Sequence, residues 1–163
     1  MTNRRAFLTL LGGGALTSAF TPALANAASA LPGNDIHVLA APGCGCCHAW
    51  ADLARLLGYD VTVAELVEPD AQKSALGVPL RLASCHTALS GGYIFEGHVP
   101  FAALAAVLRD RPAITGLAVP GMPVGSPGMG DDPNARFDVI AFGGDAADGR
   151  VFYRAGSEAP FAG

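Results

Sequence analysis

Three cysteines fall within four consecutive residues, in the run Cys44-Gly45-Cys46-Cys47. The short apolar segment 36–40 precedes this run and predicts a buried strand. A helical pattern follows it, and Gly58 is placed to end that helix. The apolar positions of the predicted helix are Trp50, Leu53, Leu56 and Leu57. A C-x-x-C spacing between a strand and a helix is typical of thioredoxin-like proteins, so the cysteine run constrains the fold as well as the chemistry.

The rest of the chain continues the alternation of strands and helices. The predicted elements before residue 98 are a strand at 59–67, a short helix from Pro69 to Gly77, and segments 84–89 and 93–96, which form either a hairpin or a loop feeding a strand. A helix from Pro100 and strands at 138–142 and 151–154 follow. Segment 112–136 is rich in proline and glycine and shows no periodicity, which predicts a long loop. We therefore expect an α/β, thioredoxin-like fold. It should have a central mixed sheet flanked by helices, a long Pro/Gly-rich loop and extra C-terminal strands.

The N-terminus has the pattern of an export signal. Paired arginines, Arg4 and Arg5, precede a moderately apolar segment at 8–20. Small-residue cleavage patterns follow at 23–25 and 28–30. These features predict a cleavable signal at 1–30 and a single mature domain at 31–163, located in the periplasm. The paired arginines resemble a twin-arginine signal, and an ordinary secretory signal with two chance arginines is the alternative.

Composition excludes two classes of partner. The chain is 51% hydrophobic, but segment 8–20 is its longest apolar-rich run and is too short to span a membrane. The formal net charge is −4, so a broad nucleic-acid-binding surface is not expected. We expect a mature protein without a membrane span, either monomeric or dimeric.

The cysteines predict thiolate chemistry. Cys44, Cys46 and Cys47 lie at a predicted helix N-terminus, where the helix dipole and free N–H groups stabilise thiolates. Disulfide exchange needs only the pair Cys44 and Cys47, so Cys46 requires another explanation. It is a candidate third ligand for a soft metal, Cu(I), zinc or an iron–sulfur cluster, with Cys85 as the fourth. Two structural disulfides are the alternative, because unprotected thiols pair in an oxidising compartment.

Histidines extend this candidate site. His86 directly follows Cys85 and could be a ligand, a base or a hydrogen-bonded structural histidine. His48 follows the cysteine run, where it could lower thiol pKa values, bind metal or face solvent. His98 precedes the Pro100 helix and is expected to have a capping or surface role.

Two methionines, Met122 and Met129, lie in the Pro/Gly-rich loop. Thioether sulfur favours Cu(I) over harder ions, so both are possible secondary ligands. Packing of the loop against the core is an equally good explanation.

Four separated motifs carry a family resemblance. They are CGCC at 44–47, LASCHT at 82–87, GYIFEGHVP at 92–100 and GLAVPGMP at 116–123. Together they resemble the CopG family of exported bacterial copper-resistance proteins, and PVGSPGM at 123–129 matches the usual continuation of that family. The similarity covers about residues 36–152. It implies a thioredoxin-like fold, a redox role in periplasmic copper handling, and copper binding through Cys44, Cys46, Cys47 and Cys85.

Three functions are compatible with this site. The first is a periplasmic copper-binding protein of copper resistance and homeostasis. It would hold Cu(I), singly or as a small multinuclear cluster, with a redox role and contacts to other periplasmic copper-handling proteins. The second is a thiol–disulfide oxidoreductase without stoichiometric metal, in which Cys44 and Cys47 are the catalytic pair. The third is a passive copper chaperone or sink.

Overall fold

The computed structural model describes residues 34–156, so the predicted signal at 1–30 lies outside the described residues. The strands are β1 (Asp35–Ala40), β2 (Asp60–Glu65), β3 (His86–Ser90), β4 (Tyr93–Glu96), β5 (Gly116–Ala118), β6 (Phe137–Phe142) and β7 (Arg150–Ala155). The helices are α1 (Gly45–Leu56), α2 (Pro69–Ala75) and α3 (Phe101–Asp110). Short 3-10 turns lie at Leu80–Leu82 and Gly144–Ala146.

The strands form one mixed sheet in the order β2-β1-β3-β4-β5-β6-β7. The pairs β1–β2 and β4–β5 are parallel, and the other neighbouring pairs are antiparallel. The predicted α/β, thioredoxin-like fold is confirmed, with its central mixed sheet and two extra C-terminal strands. Among the residues that the structure describes, none of the helices is long and apolar enough to cross a membrane.

The two faces of the sheet bury different side chains, because successive strand residues point to opposite sides. In β4, Phe95 packs into the larger cluster with the buried side of α1, and Ile94 packs into a smaller cluster with Val78 and Leu82. Trp50 of α1 is fully buried, and its indole Nε1 donates a hydrogen bond to the Val99 carbonyl at 3.1 Å. Lys73 of α2 bonds to Thr87 of β3, whereas the preceding residue, His86, packs against Trp50 of α1, so the two helices lie on opposite faces of the sheet.

The predicted apolar face of α1 is wrong in part. Leu53, Leu56 and Leu57 have exposed fractions of 38%, 82% and 61%. The buried residues of the helix are Cys47, Trp50, Ala51 and Ala54. Their spacing of three, four and seven also describes one helical face. The small alanines let α1 approach the sheet closely, which a hydrophobicity pattern weighted towards leucine does not show.

The Pro/Gly-rich segment is more ordered than the sequence pattern indicates, because it contains strand β5. This strand has only three residues, too few to show a periodicity. A Cβ built on Gly116 would lie 1.9 Å from the Ile94 carbonyl oxygen, so this position requires glycine. The segment also reaches α1, since a Cβ on Gly128 would lie 2.8 Å from the Trp50 amide nitrogen and 2.9 Å from the Cys46 carbonyl oxygen.

Candidate metal centre

The site forms where the end of β1 meets the start of β3. The two strands are antiparallel neighbours, and Ala40 pairs with His86. The Ala41 amide donates to the Cys85 carbonyl at 3.1 Å, which ties the chain entering the cysteine run to the residue preceding β3. The first turn of α1 begins immediately after Cys44 and contains no acidic residue. The positive end of the helix dipole therefore favours negative charge on the nearby sulfur atoms, without a competing carboxylate.

All four cysteines meet at this point. The Cys46 sulfur lies 3.5 Å from that of Cys44 and 3.8 Å from that of Cys85. The four sulfur atoms lie within 4.8 Å of one another. Cys47 is fully buried, and the other three are partly buried. The sulfur cluster, meaning Cys44, Cys46, Cys47 and Cys85, thus combines three local residues with one from a distant part of the chain.

The sulfur cluster is half oxidised. Cys44 and Cys47 form a disulfide, with Cα atoms 5.4 Å apart, whereas Cys46 and Cys85 are free thiols. The described residues therefore contain one disulfide, and the alternative prediction of two structural disulfides is not met. The Cys47 sulfur lies 3.5 Å from the Cys85 carbonyl oxygen. After reduction, the Cys47 thiol can donate to this oxygen, so both oxidation states keep a contact between the two segments.

His98 belongs to the site, and the expectation of a capping or surface role is wrong. Its side chain is fully buried, and Nε2 lies 3.1 Å from the Cys85 sulfur. Nδ1 lies 2.7 Å from the Pro127 carbonyl oxygen. Because a carbonyl only accepts hydrogen bonds, Nδ1 must carry the proton and Nε2 presents its lone pair to the sulfur. Metal-binding histidines are commonly oriented in this way.

The hairpin register is the signal that could have found His98. Thr87 pairs with Glu96 in the β3–β4 hairpin. Continuing this antiparallel register beyond the strand ends places residue 98 opposite residue 85. The motif at 92–100 alone does not connect its histidine to Cys85, because that contact requires the register of the neighbouring strand.

His86 is fully buried next to the sulfur cluster. Its Nδ1 lies 3.5 Å from the Cys85 sulfur, and its ring packs 5.1 Å from Trp50 and 5.0 Å from His98, centroid to centroid. Its Nε2 has no hydrogen-bond partner among the described residues. Burial, His98 and the positive charge of Lys73 lower the pKa of His86 to about 3. His86 is therefore neutral near pH 7 and keeps a lone pair for bonding.

Burial also changes the ionisation of the other groups. It lowers the pKa of His98, although the hydrogen bond to Pro127 acts in the opposite direction. It raises the pKa of the Cys85 thiol to about 12, together with the charge of Cys46 and the hydrogen bond between these two side chains. Without a metal, Cys85 is a protonated thiol near neutral pH, so a thiophilic ion must displace its proton to bind.

The remaining candidate residues are less central. His48 is exposed on α1 and is not part of either group of candidate ligands. The Met122 side chain is 52% exposed. Met129 is partly buried and follows Gly128, which packs against the carbonyl of Cys46. Ligation by either methionine stays a prediction.

The donor set fits a soft metal ion. Two overlapping groups of side chains share the Cys85 sulfur: the sulfur cluster, and Cys85 with His86 and His98. Thiolate sulfur and neutral imidazole nitrogen suit copper and zinc, whereas Mg²⁺ and Ca²⁺ prefer oxygen ligands. Neither group contains a carboxylate.

Two solved structures of the copper resistance protein CopG are similar to this chain. Form 1 is 36% identical, with a TM-score of 0.69, and the alignment covers 76% of this chain and 98% of that chain. The chain belongs to the CopG family. CopG form 2 is 37% identical, with a TM-score of 0.67 and coverage of 74% and 96%.

The model of a family described as a protein of unknown function, DUF411, matches residues 82–129. This segment contains Cys85, His98 and both loop methionines. A search of curated proteins finds no significant match. The CopG similarity therefore extends over almost the whole length of the solved CopG chains, whereas the family model covers the second half of the site.

Proposed function

We propose that this protein binds Cu(I) in the periplasm through Cys44, Cys46, Cys47 and Cys85, as part of copper resistance and homeostasis. The observation that carries the proposal is the meeting of four sulfur atoms within 4.8 Å of one another. The relatives support copper as the metal, because both solved structures are copper resistance proteins.

The chemistry of the donors supports Cu(I) over zinc. Structural zinc sites usually combine two separated pairs of ligands. This site instead has three cysteines in one run and one distant cysteine, a sulfur-rich arrangement that suits Cu(I). His98 is the best placed nitrogen ligand, because its Nε2 faces the Cys85 sulfur at 3.1 Å. His86 and the thioethers of Met122 and Met129 are secondary candidates.

We further propose that the Cys44–Cys47 disulfide gives the protein a redox role. Breaking this bond takes up two electrons and yields two thiolates. Two Cu(I) ions can supply these electrons by becoming two Cu(II) ions, and the reverse reaction re-forms the disulfide. The disulfide and the two free thiols lie in contact, so electron transfer and binding would use the same sulfur atoms.

Titration of the reduced protein with Cu(I) tests the copper proposal. Protein reduced under anaerobic conditions is titrated in competition with a chelator, and free thiols are counted at each step. Cys46→Ser should weaken binding by at least about tenfold, since it removes the sulfur between Cys44 and Cys85. His48→Gln, a change at an exposed neighbour, is the matched control and should bind like the wild type. A wild type that holds no stoichiometric copper against the chelator would rule the proposal out.

A thiol–disulfide oxidoreductase is the second candidate, and the Cys44–Cys47 disulfide favours it. Exchange through this pair needs neither Cys46 nor Cys85. An oxidoreductase without metal would therefore keep its exchange activity in Cys46→Ser and Cys85→Ser. A passive copper chaperone or sink would bind Cu(I) tightly in all assays but would neither oxidise it nor exchange disulfides.

Export completes the proposal. We infer that residues 1–30 are a cleavable twin-arginine signal and that 31–163 is the mature metal-binding domain. N-terminal sequencing of the protein recovered from the periplasm tests this inference and shows which of the two cleavage patterns is used.

A further inference from the structure

A buried ion pair lies beside the segment that contains Cys85, on the side of α2. Lys73 of α2 and Glu96 at the end of β4 have exposed fractions of only 2% and 0%. The Lys73 Nζ atom lies 2.5 Å from Glu96 Oε1. Removing two charges from water is costly, and their attraction offsets that cost only when the geometry and the other hydrogen bonds are good. The surroundings of this pair meet both conditions.

The Glu96 carboxylate holds both sides of the Cys85–His86 dipeptide. Oε1 accepts a hydrogen bond from the Ser84 backbone amide at 2.7 Å, and Oε2 accepts one from the Thr87 hydroxyl at 2.5 Å. Lys73 donates to the same hydroxyl at 2.9 Å. The residues before and after the dipeptide are therefore attached to a single carboxylate.

The side chains of Cys85 and His86 lie away from the ion pair, towards α1 and His98. Strand alternation places Thr87 on the face of α2, while the His86 ring packs against Trp50 of α1. The Cys85 sulfur reaches the sulfur of Cys46 and the ring of His98 on this second side. The ion pair thus reaches the metal centre through hydrogen bonds to the residues on either side of Cys85 and His86. Neither Lys73 nor Glu96 forms a hydrogen bond with a sulfur atom of the described residues.

We propose that Lys73 and Glu96 are positioning residues that hold Cys85 at bonding distance from Cys46 and His98. This inference rests on the proposed function for the identity of the metal. The placement of the two sulfur atoms can be measured without metal, so the two ideas fail separately.

The test measures how fast Cys46 and Cys85 join in the metal-free protein. A Cys44→Ser/Cys47→Ser background leaves these two as the only thiols. Diamide oxidises them to one disulfide, and the two hydrogens pass to its N=N bond, which becomes a hydrazine. The rate reports how well the sulfur atoms are aligned.

Two double variants separate hydrogen bonding from charge. Lys73→Met/Glu96→Gln removes both charges but keeps a side-chain oxygen for the Ser84 amide and a donor for Thr87. Lys73→Met/Glu96→Leu removes the charges and these hydrogen bonds. We expect the glutamine variant to react within about twofold of the background and the leucine variant to react about tenfold more slowly. Unfolding curves and circular dichroism establish that both are folded at the assay temperature.

Equal rates in the two double variants would overturn the proposal, since the pair would then only contribute to folding. If the leucine variant does not fold, Thr87→Val decides, because it keeps both the side-chain shape and the ion pair. Thr87→Val removes the hydrogen bond that the hydroxyl donates to Glu96 and the one that it accepts from Lys73. This loss should slow the reaction about threefold to fivefold, and an unchanged rate would overturn the proposal.

Cu(I) titration of the same variants with all four cysteines restored connects the result to metal binding. We expect the leucine variant to bind copper about tenfold more weakly than the glutamine variant. Suppose that the disulfide rates differ as expected but that neither the wild type nor any variant binds copper. The proposed function then fails, and the positioning role stands. Equal copper affinities in variants with different disulfide rates would contradict the positioning of Cys85 for metal.

Discussion

Acid is expected to destabilise the metal-free protein through His86. The histidine is fully buried, and burial is the main reason that its pKa falls from 6.5 to about 3. In the unfolded chain it regains its ordinary pKa. Between these two values the unfolded state binds a proton that the folded state does not. The stabilising contribution of a neutral His86 is therefore complete above about pH 6.5 and is lost as the pH falls towards 3.

The two pKa values give the size of the effect. Each unit of pKa difference corresponds to about 1.4 kcal/mol between the two protonation states. Integrating over proton binding from about pH 7 to about pH 4 gives a loss of about 3 kcal/mol in the free energy of unfolding. Small domains have a total stability of about 5–15 kcal/mol, so the loss is large enough to measure.

Urea unfolding of the oxidised, metal-free protein over this pH range provides the measurement. His86→Phe keeps a flat ring beside Trp50 and cannot bind a proton. His48→Gln, at an exposed position, controls for removal of a histidine. Every titratable group other than residue 86 is the same in the wild type and in His86→Phe. The stability difference between wild type and His86→Phe therefore isolates His86 and should change by about 3 kcal/mol, to the disadvantage of the wild type at low pH.

A difference that stays constant with pH, within about 0.5 kcal/mol, would refute the reasoning. It would mean that His86 binds its proton equally well in the folded and unfolded states. Burial of the ring, the main cause of the lowered pKa, would then have no effect on proton binding.

Two further predictions concern the pH dependence of metal binding and the Pro/Gly-rich segment 112–136. The apparent Cu(I) affinity should rise about tenfold per pH unit for each proton displaced, because the pKa of Cys85 is raised to about 12. Chelator competition at several pH values, together with measurement of the protons released, checks this prediction. Gly128→Ala should cost about 1–3 kcal/mol of stability and weaken copper binding, because the backbone has a φ of +85° and the new Cβ would collide with the Cys46 carbonyl and the Trp50 amide. Urea unfolding and Cu(I) titration measure both effects, and a Gly130→Ala variant, where a Cβ meets no atom within 4 Å, controls for the positive φ.

Most elements of the fold could be predicted because strong local signals bound them. Pro69 occupies the start of α2, as its fixed φ and missing N–H favour. Gly91 and Gly92 have positive φ values of 55° and 85° in the β3–β4 turn, a conformation that glycine adopts without strain. The sequence pattern does not predict strand β5, because its pairing with β4 and β6, and not its own sequence, makes it a strand.

The site was predictable only where its residues are neighbours in sequence. The run Cys44-Gly45-Cys46-Cys47 indicates its chemistry directly, because three sulfur atoms lie within four residues at a helix start. Cys85 could be added from chain order and the expected fold. The place of His98 between a strand and a helix predicts an exposed side chain, whereas the hairpin register brings this residue to Cys85.

By itself, the sequence determined the kind of chemistry: three cysteines at a helix start, a fourth in a recognisable motif, and a strand–helix order that places them on an α/β fold. The tertiary structure decided which groups meet and in which protonation state. It brings Cys46 and Cys85 to 3.8 Å across a sequence separation of 39 residues. It also buries His86, His98 and part of Cys85, which favours their neutral forms. The contact between Cys46 and Cys85 and the burial of these groups depend on packing between distant segments, so no local pattern encodes them.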